Sequence, residues 1–173
     1  MGKTLMICIC SFFAIMAVVF NSAQSKEVSP FRWVDHSTIA LIEHFEGKRH
    51  RAYQDSEGNW TIGVGHLIQP KTHYLLYREL SEDEVIAILH RDLEKCSKAL
   101  ESSLNTGVTR GQINALLSLC HNIGPDSFVK SEVLRHLNLG NIHQAADSFL
   151  NWANPPVLKK RREIERKLFL VGA

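Results

Sequence analysis

The chain has 173 residues, of which 45% are hydrophobic and 22% are charged, as is ordinary for a globular protein. This length suits one compact domain with a real core, or one domain with a short extension. The formal net charge is only +2, which argues against a nucleic-acid-binding protein, because such proteins carry a marked excess of basic residues.

The N-terminus has the features of an export signal. Lys3 precedes an uncharged apolar run over residues 5–20, and the small-residue site Ala23-Gln24-Ser25 follows. This order is typical of a secretory signal peptide. The run also approaches the roughly 20 residues that span a bilayer, so a retained membrane anchor is the alternative. Both interpretations of residues 1–25 predict export to the periplasm or the medium.

Residues 26–34 are predicted to form a linker, and residues 35–173 the folded domain. Asp35 or Ser37 can cap a first helix that carries apolar residues at helical spacing. That helix is expected to end at Glu46, because a glycine follows it as a C-terminal stop.

A hairpin is predicted next. Residues 53–59 are rich in turn formers, and residues 60–65 then alternate as in a strand. Thr61, Gly63 and Gly65 share one face of this strand. Such a face offers a hydroxyl and little bulk, so a ligand could approach the backbone closely.

From Pro70 onward the pattern is helical. Ser81 with Glu84, and Thr109 with Gln112, form capping boxes, and each precedes an apolar helical stripe. Further helix boundaries are expected near Gly140, Asn141, Trp152 and Pro155-Pro156. The order of elements predicts an α+β fold, with a small β-hairpin lobe joined to a larger helical lobe and no parallel sheet. A cleft between two such lobes is a natural substrate site.

Glu46 and Asp55 are candidate catalytic acids. Hydrolysis of a glycosidic bond needs a proton donor and a second group that stabilises the developing cation or directs water. Glu46 is suited to the role of proton donor, because the negative end of a helix dipole disfavours an ionised carboxylate. Taken singly, Glu46 could instead form a helix-end salt bridge, Asp55 could cap its own turn, and Thr61 could be a simple β-former.

Residues 45–66 read FEGKRHRAYQDSEGNWTIGVGH, with gaps of eight and five residues between Glu46, Asp55 and Thr61. This pattern resembles the T4-type phage lysozyme family. The resemblance continues through CHNIG at residues 120–124 and a segment at residues 128–137. It ends with RREIERKLF at residues 161–169 and covers nearly all of residues 37–170.

The resemblance implies a lysozyme-like fold and a muramidase of the endolysin type. Such an enzyme cleaves the β-1,4 bond between N-acetylmuramic acid and N-acetylglucosamine in peptidoglycan. The resemblance assigns Glu46 as the general acid, Asp55 as the second catalytic carboxylate and Thr61 as the residue that holds the attacking water. It also implies saccharide contacts at Leu67, His121, Asn122 and Ser131. His121 departs from the usual aromatic residue at its position, which leaves the details of that subsite open.

Three further expectations concern paired residues and cofactors. His66 is expected to be structural, with Asp92 as its salt-bridge partner. Cys96 and Cys120 are expected to be buried on helical faces, and a disulfide between them is a hypothesis. The nine histidines show no metal-ligand spacing, so neither a metal nor another cofactor is expected, and a monomer is predicted.

Basic residues crowd the last helix, where they form either a solvated face or a surface attracted to an anionic wall or membrane. One of Lys160, Arg161 or Arg162 is a candidate to face Glu46. The full set is Lys159, Lys160, Arg161, Arg162, Arg166 and Lys167. Two other functions stay open, namely a peptidoglycan-binding module without activity and a lytic transglycosylase that needs only one acid.

Overall fold

A computed structural model describes residues 33–55 and 58–171 of the chain. Within them a small antiparallel sheet lies beside a larger helical body, which confirms the predicted α+β fold. Residues 1–25, interpreted as an export signal, lie outside the described residues. In the described part of the chain, no helix has both the length and the hydropathy needed to cross a bilayer.

The smaller lobe follows the first helix. Helix α1 spans His36–Glu46, and three strands follow it: β1 (Arg49–Gln54), β2 (Trp60–Gly63) and β3 (His66–Leu67). The sheet order is β1-β2-β3, and both strand pairs are antiparallel. The predicted hairpin is therefore extended by a two-residue third strand, and β2 ends two residues before Gly65.

The larger lobe contains the remaining helices. A 3-10 helix at Pro70–Tyr77 leads into it, and two more 3-10 segments, Phe149–Trp152 and Pro156–Leu158, precede the last helix. Its α-helices are α2 (Glu82–Ser103), α3 (Arg110–Ile123), α4 (Pro125–Phe128), α5 (Glu132–Asn138), α6 (Ile142–Ser148) and α7 (Lys159–Leu170).

The predicted helix caps are present. Asp35 accepts a hydrogen bond from a backbone amide in the first turn of α1. Ser81 and Glu84 form a reciprocal capping box at the start of α2, and Thr109 and Gln112 form another at the start of α3. These local signals fix where α1, α2 and α3 begin.

Helix α3 is the central element of the core. Every residue from Gln112 to Cys120 is buried, and the helix packs against α1, α2 and α7. Its polar residues find partners there: Asn114 accepts from the Thr38 hydroxyl at 2.8 Å, and Ser118 donates to Glu165 at 2.6 Å. A helix with polar groups satisfied by its neighbours can be buried on all sides.

The fold includes residues on both sides of the expected domain boundary. Trp33 donates from its indole to Glu101 at 2.8 Å, and its carbonyl accepts from Arg110 at 3.0 Å. Val34 belongs to the buried core. The last two residues of the segment interpreted as a linker therefore pack with the domain.

A disulfide joins α2 to α3. Cys96 and Cys120 are both buried, as expected, and their Cα atoms lie 5.8 Å apart. This distance is within the range that an unstrained disulfide requires. The pairing left as a hypothesis above is thus made in the structure.

Candidate active site

Glu46 is the last residue of α1, as predicted. Gly47 follows with a φ of +73°, and its amide donates to the carbonyl of Glu43 at 2.9 Å, which closes the helix. The Glu46 side chain is 21% exposed, and its Oε1 accepts a hydrogen bond of 2.6 Å from Nη1 of Arg161. Of the three basic residues that were candidates to face Glu46, Arg161 is the one that does so.

Gly65 lies against the other oxygen of Glu46. A Cβ atom at this position would sit 3.4 Å from Oε2 of Glu46, and the residue has a φ of +75°. Both the positive φ and the close approach favour glycine. The close neighbour of Gly65 is thus the candidate acid, whereas a ligand was expected to approach the backbone here.

Arg161 is held from several directions. It is only 7% exposed, and its Nε donates to Oε1 of Glu165 at 3.1 Å. Its Nη2 donates to the carbonyl of Ser118 at 3.2 Å, and its guanidinium lies 4.8 Å from the centre of the Phe45 ring. A planar guanidinium with this many partners has little freedom, so the atom that contacts Glu46 is fixed.

Glu165 is the centre of this charged cluster. It is completely buried and accepts hydrogen bonds from Ser118, Arg161 and Arg162. Arg162 is also completely buried and donates to Asn122 and to the carbonyl of Trp152. Burial lowers the pKa of Arg162, and the negative charge of Glu165 opposes that shift.

The prediction for the basic last helix is wrong for two of its six residues. Arg161 and Arg162 form neither a solvated face nor a surface for an anionic wall, because both are buried in ion pairs with Glu165. Lys159, Lys160 and Lys167 are exposed. Sequence spacing did not separate the two groups, because an i to i+4 pair looks the same on a solvated face as in a core.

Asp55 lies in the hairpin loop directly after β1. Its Oδ1 accepts from the backbone amide of Asn59 at 2.8 Å, and its Oδ2 accepts from the side-chain amide of Asn59 at 3.2 Å. Its own amide donates to the Asn59 carbonyl at 3.0 Å. The carboxylate therefore closes its own turn through Asn59.

Thr61 lies on β2 and is 5% exposed. Its hydroxyl donates to the carbonyl of Asn59 at 3.3 Å. Asn59 thus contacts both Thr61 and Asp55, which links two of the three predicted catalytic side chains within one turn of the hairpin.

Tyr53, expected only as part of a turn, lies near both candidate acids. It lies on β1, and the guanidinium of Arg49 lies 4.7 Å from its ring centre. Burial raises the pKa of Tyr53, and the negative charges of Glu46 and Asp55 raise it further, while Arg49 opposes them. The Tyr53 hydroxyl therefore lies within electrostatic range of both candidate acids. Its place two residues before Asp55 in the sequence was the available signal.

The predicted pair of His66 and Asp92 is confirmed. Nδ1 of His66 lies 2.8 Å from Oδ2 of Asp92, so β3 is tied to α2 at the junction of the lobes. Within residues 33–55 and 58–171, no three His, Cys, Asp or Glu side chains are arranged to hold a metal ion.

A cavity of about 390 Å³ opens beside the sheet. Leu67, which is 48% exposed, and His121 both line it, and so does Gly65. Burial lowers the pKa of His121, while the charges of Glu46 and Asp92 act in the opposite direction. The full lining is Gly65, His66, Leu67, Gln69, Lys71, Thr72, Arg91, Asp92, Lys95, Cys96, Cys120, His121 and Pro125.

The other two residues expected to contact saccharide make structural contacts. Asn122 accepts from the buried Arg162. Ser131 is 4% exposed and caps α5 by accepting from the amide of Leu134 at 3.2 Å. Of the four predicted saccharide contacts, the structure brings Leu67 and His121 together in the cavity and places Asn122 and Ser131 elsewhere.

Comparison with known sequences identifies the family of the chain. The model of the phage lysozyme family matches residues 43–165. The endolysin of Salmonella phage P22 is 37% identical over 142 residues, which cover 79% of this chain and 97% of that protein. The SAR-endolysin of Enterobacteria phage P21 is 30% identical over 132 residues, covering 73% of this chain and 78% of that protein.

Comparison with solved structures gives the same result as comparison of sequences. The muramidase domain of SpmX from Asticaccaulis excentricus superposes with a TM-score of 0.67 at 33% identity. The match covers 79% of this chain and 97% of that domain. The two-lobed arrangement, with its sheet on one side and helices on the other, is therefore shared over most of both chains.

Proposed function

The chain belongs to the phage lysozyme family and is a peptidoglycan hydrolase, and we propose that it uses Glu46 as its general acid. The bond cleaved is the β-1,4 bond between N-acetylmuramic acid and N-acetylglucosamine. The observation that carries this proposal is the placement of Glu46, with Arg161 on one oxygen and a cavity-lining glycine on the other.

The two oxygens of Glu46 have different tasks in this proposal. Oε1 is occupied by the hydrogen bond from Arg161, so it is not the oxygen that carries the transferred proton. Oε2 faces Gly65, which lines the cavity. Oε2 therefore delivers the proton to the glycosidic oxygen, and Arg161 keeps the carboxyl oriented for that transfer.

Asp55 and Thr61 prepare the water that attacks the sugar. The Thr61 hydroxyl donates its hydrogen bond to the Asn59 carbonyl, so its oxygen is left to accept a hydrogen bond from a water molecule. Asp55, oriented by Asn59, accepts a proton from this water. A water held in this way directs a lone pair at the anomeric carbon as the glycosidic bond breaks.

The N-terminal residues supply the route to the substrate. Residues 1–25 act as a signal peptide or as an inner-membrane anchor before release, and the similarity to SAR-endolysins supports the anchored form. Export also places Cys96 and Cys120 in a compartment where a disulfide persists. The released enzyme works as a monomer in this proposal.

The decisive experiment is the clearing of a peptidoglycan suspension by wild type, Glu46→Gln and Glu43→Gln. Glu46→Gln keeps the shape but removes the transferable proton, so its rate should fall by about 10²- to 10⁴-fold. Glu43→Gln alters a neighbouring acid on α1 and should leave the rate unchanged. Equal rates for wild type and Glu46→Gln would refute the assignment.

The products separate hydrolysis from the other functions. Mass spectrometry should find reducing ends that have gained one water molecule. Anhydro-sugar ends would instead establish a lytic transglycosylase, which needs neither Asp55 nor Thr61. Binding of peptidoglycan by the wild type without any clearing would establish a binding module.

A further inference from the structure

Three basic side chains on the wall of the cavity have no acidic partner in the part of the chain that the structure describes. Lys71 comes from the 3-10 helix at residues 70–77, while Arg91 and Lys95 come from α2. All three are exposed, and within residues 33–55 and 58–171 none of them makes an ion pair or a side-chain hydrogen bond. We call these three residues the basic wall.

The acids near the basic wall are already paired. Asp92, which also lines the cavity, lies 2.8 Å from Nδ1 of His66. Glu94 lies 2.6 Å from Lys98, on the next turn of α2. Arg91 and Lys95 are four residues apart on that helix, so their like charges repel each other. An anion bound between them would relieve this repulsion.

The basic wall shares its cavity with the candidate saccharide contacts. Leu67 and His121 line the same space, and so does Gly65, which lies against Oε2 of Glu46. The cavity is therefore separated from Glu46 by one residue, so a group attached to a glycan bound at Glu46 can reach it. The volume of about 390 Å³ accommodates a short peptide segment.

We propose that the basic wall binds a carboxylate of the peptide stem of peptidoglycan. This inference rests on the proposed function. The sugar backbone of peptidoglycan is largely neutral, whereas each stem, attached to the lactyl group of muramic acid, carries free carboxylates. The stem is thus the part of the substrate that matches an uncompensated positive wall beside the sugar contacts.

Binding to matched ligands tests the proposal. The probe is a soluble tetrasaccharide of two N-acetylglucosamine–N-acetylmuramic acid units with tetrapeptide stems, used free and with its stem carboxylates methyl-esterified. Calorimetry with the inactive Glu46→Gln protein should show about fivefold to tenfold weaker binding of the ester at low salt. The difference should shrink as salt is added, because exposed charges are screened.

Variants assign this preference to the basic wall. Adding Arg91→Gln and Lys95→Gln should remove most of the difference between the two ligands, and Lys71→Gln alone should reduce it. The control pair Lys159→Gln and Lys167→Gln removes the same charge from exposed positions on α7 and should retain the full difference. Thermal unfolding should show that each variant is folded.

Equal binding of acid and ester by the parent protein would overturn the inference, as would a preference that the Arg91 and Lys95 changes leave undiminished. A preference lost equally in the α7 control would also overturn it, because total charge would then be responsible. Failure of the proposed function is distinguishable, since it appears as a wild type that leaves peptidoglycan intact.

Discussion

Arg161 donates a hydrogen bond of 2.6 Å to Glu46, although the two residues are 115 positions apart in the chain. The contact joins the start of α7 to the end of α1. Arg161 is in turn fixed by Glu165 and Ser118, so the orientation of the proposed acid depends on buried charges in α7. The N-terminal motif and the RREIE segment therefore form one site.

Glu165→Gln should reduce the free energy of unfolding by about 3 kcal/mol, because it leaves two buried guanidinium groups without their shared counter-charge. Urea denaturation measures this change. The control is Asp147→Asn, which removes the exposed partner of Arg166 and should cost about 0.5 kcal/mol. A loss for Glu165→Gln no greater than that of the control would contradict the role assigned to the cluster.

Local signals account for the helix starts that the sequence predicted. A capping box such as Ser81 with Glu84 acts within four residues, so it is visible without tertiary structure. The burial of α3 on all sides was not visible, because it depends on Thr38 and Glu165 as distant partners for Asn114 and Ser118. The third strand escaped prediction because two residues carry no period.

In the candidate site, too, residues within a short motif could be predicted from the sequence, and contacts between distant parts of the chain could not. Glu46 and Thr61 could be proposed because their spacing and context lie within one short motif. Tyr53 was missed because a tyrosine in a turn-rich segment gives no sign of which charges surround it. Asn122 was placed with the saccharide contacts, yet its side chain is engaged by Arg162, a partner that only the packing of α3 against α7 supplies.

Loss of the disulfide should destabilise the protein. The bond closes a loop with a sequence separation of 24 residues, for which the chain-entropy relation gives about 3.5 kcal/mol. A Cys96→Ala, Cys120→Ala variant should therefore unfold at lower urea than wild type. Dithiothreitol should shift the wild-type transition in the same direction and leave that of the variant unchanged. A wild type insensitive to the reductant, under conditions where labelling confirms free thiols, would contradict the prediction.

The stability of the protein should decrease as the pH falls below about 6.5. Burial lowers the pKa of His121 from its ordinary 6.5, although Glu46 and Asp92 oppose the shift. As the pH falls through that ordinary value, the unfolded chain gains a proton that the folded protein resists, so unfolding becomes easier. The loss stops once the pH passes the lowered pKa of the folded form.

His121→Phe should flatten this dependence below about pH 6.5, because it removes the group that binds protons differently in the two states. Urea unfolding at several pH values measures it. His73→Gln, at an exposed position, is the control and should keep the wild-type slope. An unchanged slope in His121→Phe would show that other groups produce the effect.

The enzyme should invert the configuration of the anomeric carbon. A retaining glycosidase attacks with its second carboxylate directly, whereas an inverting one needs space and partners for a water molecule between acid and sugar. Both carboxylate oxygens of Asp55 accept hydrogen bonds from Asn59, and the Thr61 hydroxyl donates to the carbonyl of Asn59. This arrangement is suited to holding a water molecule rather than to direct attack by Asp55. Proton NMR of a freshly cleaved soluble glycan should therefore show the α-anomer first. Thr61→Ser should keep most of the rate and Thr61→Val should lose it, because only serine retains the hydroxyl. Initial release of the β-anomer would refute the water-holding role of Thr61.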